Sequence, residues 1–131
     1  MAPVLLDTTV LIDLLRGRAE AGRRLLGLRG AQDTPYVCAV NVEETVRGLR
    51  LAEHEAARAL FAGLRIAPLG GEQGWQAGEW RREFARGGRT LAQADCLVAA
   101  AALSLGGRLA TGNPRDFPMP ELTVEHWSVG A

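Results

Sequence analysis

Five acidic residues stand where chemistry could be done. Asp7 ends the apolar run Pro3-Val-Leu-Leu6, Glu43 and Glu44 follow the apolar stretch Tyr36–Val40, Asp95 interrupts the small, apolar stretch Leu91–Leu105, and Asp116 lies in Asn113-Pro-Arg-Asp-Phe117. Carboxylates gathered in a cleft repel one another, and at neutral pH they take up protons or hold a cation. An all-oxygen donor set favours Mg2+, or Mn2+ in its place, over zinc. His54 and His126 have no ligand spacing, and Cys38 and Cys96 make no metal or redox motif. A carboxylate-bound Mg2+ suits phosphate-ester chemistry, because it orients the substrate, helps ionise a water and offsets charge on the leaving oxygen.

The acids matter only if the fold brings them together. Pro3–Leu6 reads as a buried strand feeding a helix with Val10, Leu11, Leu14 and Leu15 at helical spacing. A helix over Ala19–Leu28, with Leu25 and Leu26 facing inward, precedes a second strand at Tyr36–Val40. Helices at Asn41–Arg50 and Ala52–Leu64 lead to a short strand at Arg65–Pro68. A helix carrying Trp75, Glu79, Trp80 and Phe84, a flexible basic loop Arg86-Gly-Gly-Arg89, and an alanine-rich helix over Gln93–Leu105 come next. Strands at Arg108–Thr111 and Leu122–Trp127 flank a loop over 112–120. Alternation of strand and helix predicts a three-layer α/β/α fold, one domain over 1–131, with a mainly parallel sheet of roughly five strands. Ligands of such sheets bind beyond the carboxyl ends of the strands. Asp7, Glu43 or Glu44, Asp95 and Asp116 all belong to that rim.

Each acid also has a plain structural reading. Asp7 could stabilise the next helix N-terminus, with Thr8 or Thr9 as cap. Glu44 stands three residues after Asn41, the spacing of a capping box. Glu43 reads as a solvated first-turn acid, and Asp116 as a turn residue.

Composition narrows the field. The 131 residues are 47% hydrophobic and 23% charged, an ordinary globular balance. The longest nearly apolar run, Leu97–Leu105, is too short to span a bilayer, and Met1–Leu6 lacks the basic flank of a secretory signal, so a cytoplasmic location is expected. All fifteen basic residues are arginine, which argues against lysine-dependent P-loops, Schiff bases and receiver domains. Residues 81–115 hold six Arg against Glu83 and Asp95, a balance of +4, whereas 31–80 come to −3. Arginine binds phosphate bidentately, so the cluster points to a polyanion. Arg86, Arg89 and Arg115 flank the rim as candidate phosphate contacts. No Gly-x-Gly-x-x-Gly turn for a dinucleotide is present, and Thr9 fills the slot where a haloacid-dehalogenase-type phosphatase carries its second Asp.

The motifs resemble a known family. Asp7-Thr-Thr-Val-Leu-Ile-Asp13 is similar to the opening of PIN domains, specifically the VapC ribonuclease toxins of type II toxin–antitoxin pairs. Glu44-Thr-Val-Arg-Gly48 resembles their Glu-then-Gly helix, Ala94-Asp-Cys-Leu-Val-Ala-Ala-Ala-Ala-Leu103 the helix with their third acid, and Thr111-Gly-Asn-Pro-Arg-Asp116-Phe117 the loop with their fourth. Gly48 makes Glu44 the better match, with Glu43 in reserve, and Cys96 departs from the pattern as packing. The resemblance implies Mg2+ at Asp7 and Asp95, dimers, and a VapB-type antitoxin.

On this reading Asp116 binds a second ion or its waters, and Glu44 orients or deprotonates the attacking water. Thr8, Thr9, Thr111 and Asn113 supply hydrogen bonds to waters or phosphate. An antitoxin arginine would pair with Asp7, Asp95 or Asp116 and displace the metal, while Leu14, Leu15, Leu25 and Leu28 offer apolar surface to the antitoxin or to a second copy in a homodimer or hetero-oligomer. Two other readings stay open: a PIN nuclease of RNA processing or DNA metabolism, and a non-catalytic module whose acids bind a basic peptide.

Overall fold

The computed structural model describes residues 2–131. Five short strands, β1 (Pro3–Leu6), β2 (Thr34–Val37), β3 (Arg65–Ile66), β4 (Arg108–Thr111) and β5 (Thr123–His126), form one sheet in the order β3-β2-β1-β4-β5. Every pairing is parallel, with Leu5 opposite both Tyr36 and Leu109, and Thr111 opposite His126. Parallel strands need crossovers, which the helices α1 (Thr8–Leu15), α2 (Ala19–Gly30), α3 (Ala39–Arg47), α4 (His54–Ala62), α5 (Gly71–Arg86) and α6 (Gln93–Ser104) supply. The result is the expected three-layer arrangement.

Both faces of the sheet are covered, so its central strand is apolar at every buried position. Leu5 points into one core with Trp80, Leu91, Val98 and Leu109, built on α5 and α6. Val4 and Leu6 point into the other with Val10, Leu11, Leu28 and Trp127, closed by α1, α2 and α4. The alternation of the strand thus divides its side chains between two cores. No helix is long and apolar enough to cross a membrane among the described residues.

Three expectations shift. The second strand is Thr34–Val37 rather than Tyr36–Val40, and Cys38 is already the N-cap of α3. Pro35 fits inside β2 because β3 pairs only with Tyr36 and Val37, leaving an open edge at Pro35. The capping box is therefore one turn earlier than expected: Asn41 Oδ1 accepts from the Cys38 backbone N–H at 3.0 Å, and Asn41 does not pair with Glu44. In α2 the inward stripe is Ala21, Leu25 and Leu28, which leaves Leu26 65% exposed on the opposite side. Leu28 is core, and Leu14 and Leu25 pack against it, so these leucines already serve the fold.

Candidate active site

At the carboxyl edge of the two central strands, Asp7 leaves β1 as the N-cap of α1, its backbone N–H donating to the Ala110 carbonyl of β4 at 2.9 Å. The main-chain carbonyl of Asp7 accepts from Val10 and Leu11, while its carboxylate makes no capping bond. That side chain, 7% exposed, instead faces β4. Thr111 Oγ1 donates to Asp7 Oδ2 at 2.7 Å, and Thr9 Oγ1 donates to the same oxygen at 3.4 Å. Each hydroxyl is itself fixed by a backbone donor from the segment after β4: Asn113 N–H to Thr111 Oγ1 at 3.0 Å, Gly112 N–H to Thr9 Oγ1 at 2.9 Å. A hydroxyl that accepts from an N–H must turn its own proton elsewhere. Here it turns to Asp7.

Glu44 is held by a similar relay. Cys38 N–H fixes Asn41 Oδ1, Asn41 Nδ2 donates to Thr8 Oγ1 at 3.3 Å, and Thr8 Oγ1 donates to Glu44 Oε1 at 2.8 Å. The neighbouring acid goes the other way, since Glu43 is exposed and faces Arg47 on its own helix at 3.9 Å. Asn41 is fully buried and belongs to the site's framework; sequence reasoning read it only as a cap.

Asp95 lies in the first turn of α6, half-buried at the same rim. Its pKa is pushed up from 3.8 to about 6, first by burial and then by the charges of Asp116, Asp7 and Glu44. Burial likewise raises Asp7, opposed by the hydrogen bonds from Thr111 and the Thr8 backbone and assisted by the charge of Glu44. Asp116, on an exposed 3₁₀ turn over Pro114–Asp116, is thus within electrostatic reach of Asp95. Four acids from distant parts of the chain share one field, and no arginine contributes to either shift.

The placement of the other expected residues differs from expectation in part. Thr8, Thr9 and Thr111 donate to carboxylates of the rim. Asn113 contributes its backbone N–H, and its side chain is exposed. Arg86 and Arg115 are exposed beside the rim, whereas Arg89 reaches back to the Arg115 carbonyl.

The donor set suits a hard divalent cation: oxygen only, rich in negative charge, its carboxylates oriented by threonines. No three His, Cys, Asp or Glu side chains close into a ready cage among the described residues.

Comparison with known proteins agrees with this geometry. The PIN domain family model matches residues 4–119. Ribonuclease VapC10 of Mycobacterium tuberculosis is 34% identical over 119 residues, which span 90% of this chain and 88% of that protein. In fold, the DNA-bound VapBC structure from Salmonella typhimurium matches with a TM-score of 0.83 at 23% identity, over 97% of this chain and 99% of that one. VapBC2 of Rickettsia felis, bound to a DNA fragment from its promoter, gives 0.82 at 20% identity, over 95% and 98%.

Proposed function

We infer the activity from one premise: this chain belongs to the PIN domain family, among the VapC ribonucleases. It is a metal-dependent endoribonuclease, the toxin of a VapBC-type toxin–antitoxin pair, and it hydrolyses RNA phosphodiester bonds at the four-acid rim. The observation that carries this reading is the placement of Asp7, Glu44, Asp95 and Asp116 at one rim, where burial first, and then the charges of the other three acids, push Asp95 up to about 6. Such a concentration of negative charge calls for a cation.

Asp7 and Asp95 would hold Mg2+, with Mn2+ as substitute, and Asp116 would hold a second ion or its waters. Bound there, the metal helps ionise water and offsets charge on the leaving oxygen. Glu44, fixed at Oε1 by Thr8, orients the attacking water and takes its proton. Thr111 and Thr9 keep the Asp7 carboxylate in one plane. Arg86 and Arg115 contact phosphates of the flanking strand, setting affinity rather than sequence choice. Single-stranded loops are the favoured substrate, since an A-form duplex hides its base edges in a deep groove.

The VapBC relatives support a VapB-type antitoxin as partner. An arginine from its tail, pairing with Asp7, Asp95 or Asp116, would displace the metal. A homodimer that assembles with the antitoxin into a hetero-oligomer completes the reading.

Purified protein incubated with end-labelled RNA tests the activity. Cleavage is expected with Mg2+ or Mn2+, none in EDTA, and none from Asp7→Asn with an unchanged circular dichroism spectrum. Cleavage by that variant at the wild-type rate overturns the assignment. Co-purification with the product of the neighbouring open reading frame tests the partner.

A further inference from the structure

Arg89 offers the contact that sequence reasoning did not foresee. It follows α5 at a helix end built for rigidity. Gly88 has φ +85°, the left-handed conformation that only glycine adopts without strain. Gly88 N–H donates to the Ala85 carbonyl at 3.0 Å, and Arg89 N–H donates to the Phe84 carbonyl at 2.9 Å. This pair of bonds is the Schellman pattern, which satisfies the last carbonyls of the helix and fixes the departing chain. Two residues on, the carbonyl of buried Leu91 accepts from Arg81 Nε at 3.2 Å. The backbone around Arg89 is therefore held from both sides.

From that base Arg89 Nη2 donates to the carbonyl of Arg115, the residue before Asp116. The accepting segment is tied at its start by the Gly112 N–H to Thr9 Oγ1 and the Asn113 N–H to Thr111 Oγ1, and beyond Asn113 no side chain other than Arg89 bonds it before buried Phe117. Its own bonds are the Asp116 N–H to the Asn113 carbonyl at 3.1 Å and the Phe117 N–H to the Pro114 carbonyl at 3.0 Å. Asp116 also repels Asp95, which begins the helix just after Arg89. Two segments that carry mutually repelling acids are thus joined by one guanidinium.

We propose that Arg89 is a positioning residue that clamps the Asp116 turn to the α5–α6 loop, holding the fourth acid at the rim, rather than a phosphate contact. The role deepens the nuclease reading and rests on it for its effect on catalysis. The clamp itself is independent of that reading.

The test uses Arg89→Met, close in length but without donors, and Arg89→Lys, which keeps the charge but not the planar fork. Amide hydrogen exchange of the metal-free protein should speed up about ten-fold over residues 113–117 in Arg89→Met, the loss of one charge-assisted hydrogen bond, with the central strands unchanged. Mn2+ binding, followed by electron paramagnetic resonance without RNA, should weaken, and kcat should fall with KM for RNA nearly constant. Arg89→Lys should fall between wild type and Arg89→Met. Unchanged exchange in 113–117 overturns the clamp. So does a drop of about one in the salt slope of RNA binding, measured in an Asp7→Asn background, with exchange unaltered, because that is the signature of a lost phosphate contact. Faster exchange in a protein whose wild type cuts no RNA supports the clamp and removes the nuclease reading instead.

Discussion

The two edges of the sheet treat their acids in opposite ways. At the amino edge, Arg108 at the start of β4 bonds Asp33 at 3.1 Å and Glu125 at 2.8 Å, so two carboxylates share one guanidinium. At the carboxyl edge, Asp7 and Glu44 have threonine hydroxyls as partners, and none of Asp7, Glu44, Asp95 and Asp116 takes part in the salt bridges of the described residues. Hydroxyls orient a carboxylate but do not cancel its charge. The first edge is electrically finished by the protein. The second keeps its negative charge uncancelled by any arginine of the described residues.

Breaking the unfinished edge should have the largest effect. Asp7→Asn is expected to lower RNA cleavage by about a thousand-fold, in the range of losing a group that acts on the transition state, with the melting temperature close to wild type. Next comes the metal itself. Mg2+ at about a hundred times its Kd should stabilise the native protein by roughly 2.7 kcal/mol, read as a rise in Tm, and Asp7→Asn should remove most of that rise. The finished edge should respond in the reverse sense. Arg108→Met leaves Asp33 and Glu125 without their cation and should cost about 1–3 kcal/mol, between an exposed pair and a fully buried one, since Arg108 is 24% exposed. Cleavage by the folded fraction and the Mg2+ response should persist. If Arg108→Met instead abolishes cleavage at temperatures where it is folded, the two edges are not independent.

The smallest effect sharpens the contrast through pH. Asp95 holds its proton to about 6 in the folded state against an ordinary 3.8. Between those values the native state binds more protons than the unfolded one, so stability of the metal-free protein should fall as pH rises from about 4 to about 6, then level off. Asp95→Asn should flatten this fall and raise Tm above wild type by a few degrees at pH 7, with little difference near pH 4. Thermal unfolding in EDTA across that range measures it. A steeper fall in the variant would mean that Asp95 is stabilised by a cation of the protein after all.

The rim was legible because its acids sit at points that local sequence defines. Asp7 ends an apolar run, Asp95 opens an alanine-rich helix, and Asp116 follows a strand, so strand–helix alternation alone assigns them to one edge. The destinations of Thr8, Thr9 and Thr111 were not legible. A threonine hydroxyl has no preferred partner until the tertiary structure supplies one, and the Thr111–Asp7 bond joins residues 104 apart. The same holds for the bond from Arg89 to the Arg115 backbone carbonyl, an acceptor with no mark in the sequence. The boundary of β2 slipped for a local reason. Pro35 looked like punctuation before a strand, yet the short β3 leaves room for it inside one. Asn41 slipped with it, taken as a cap when it is the third residue of the helix.

The placement of β1 beside β4 has a consequence for the timing of synthesis. Asp7 is synthesised 104 residues before Thr111, its main hydroxyl donor at the end of β4. At about 5–20 residues per second, on the order of ten seconds separate the two. A nascent chain that stops before Thr111 carries Asp7 and Glu44 without the Thr111 hydroxyl that orients Asp7. Every fragment that ends in that interval therefore lacks the main donor to Asp7, a built-in delay between making the first acid of the rim and orienting it.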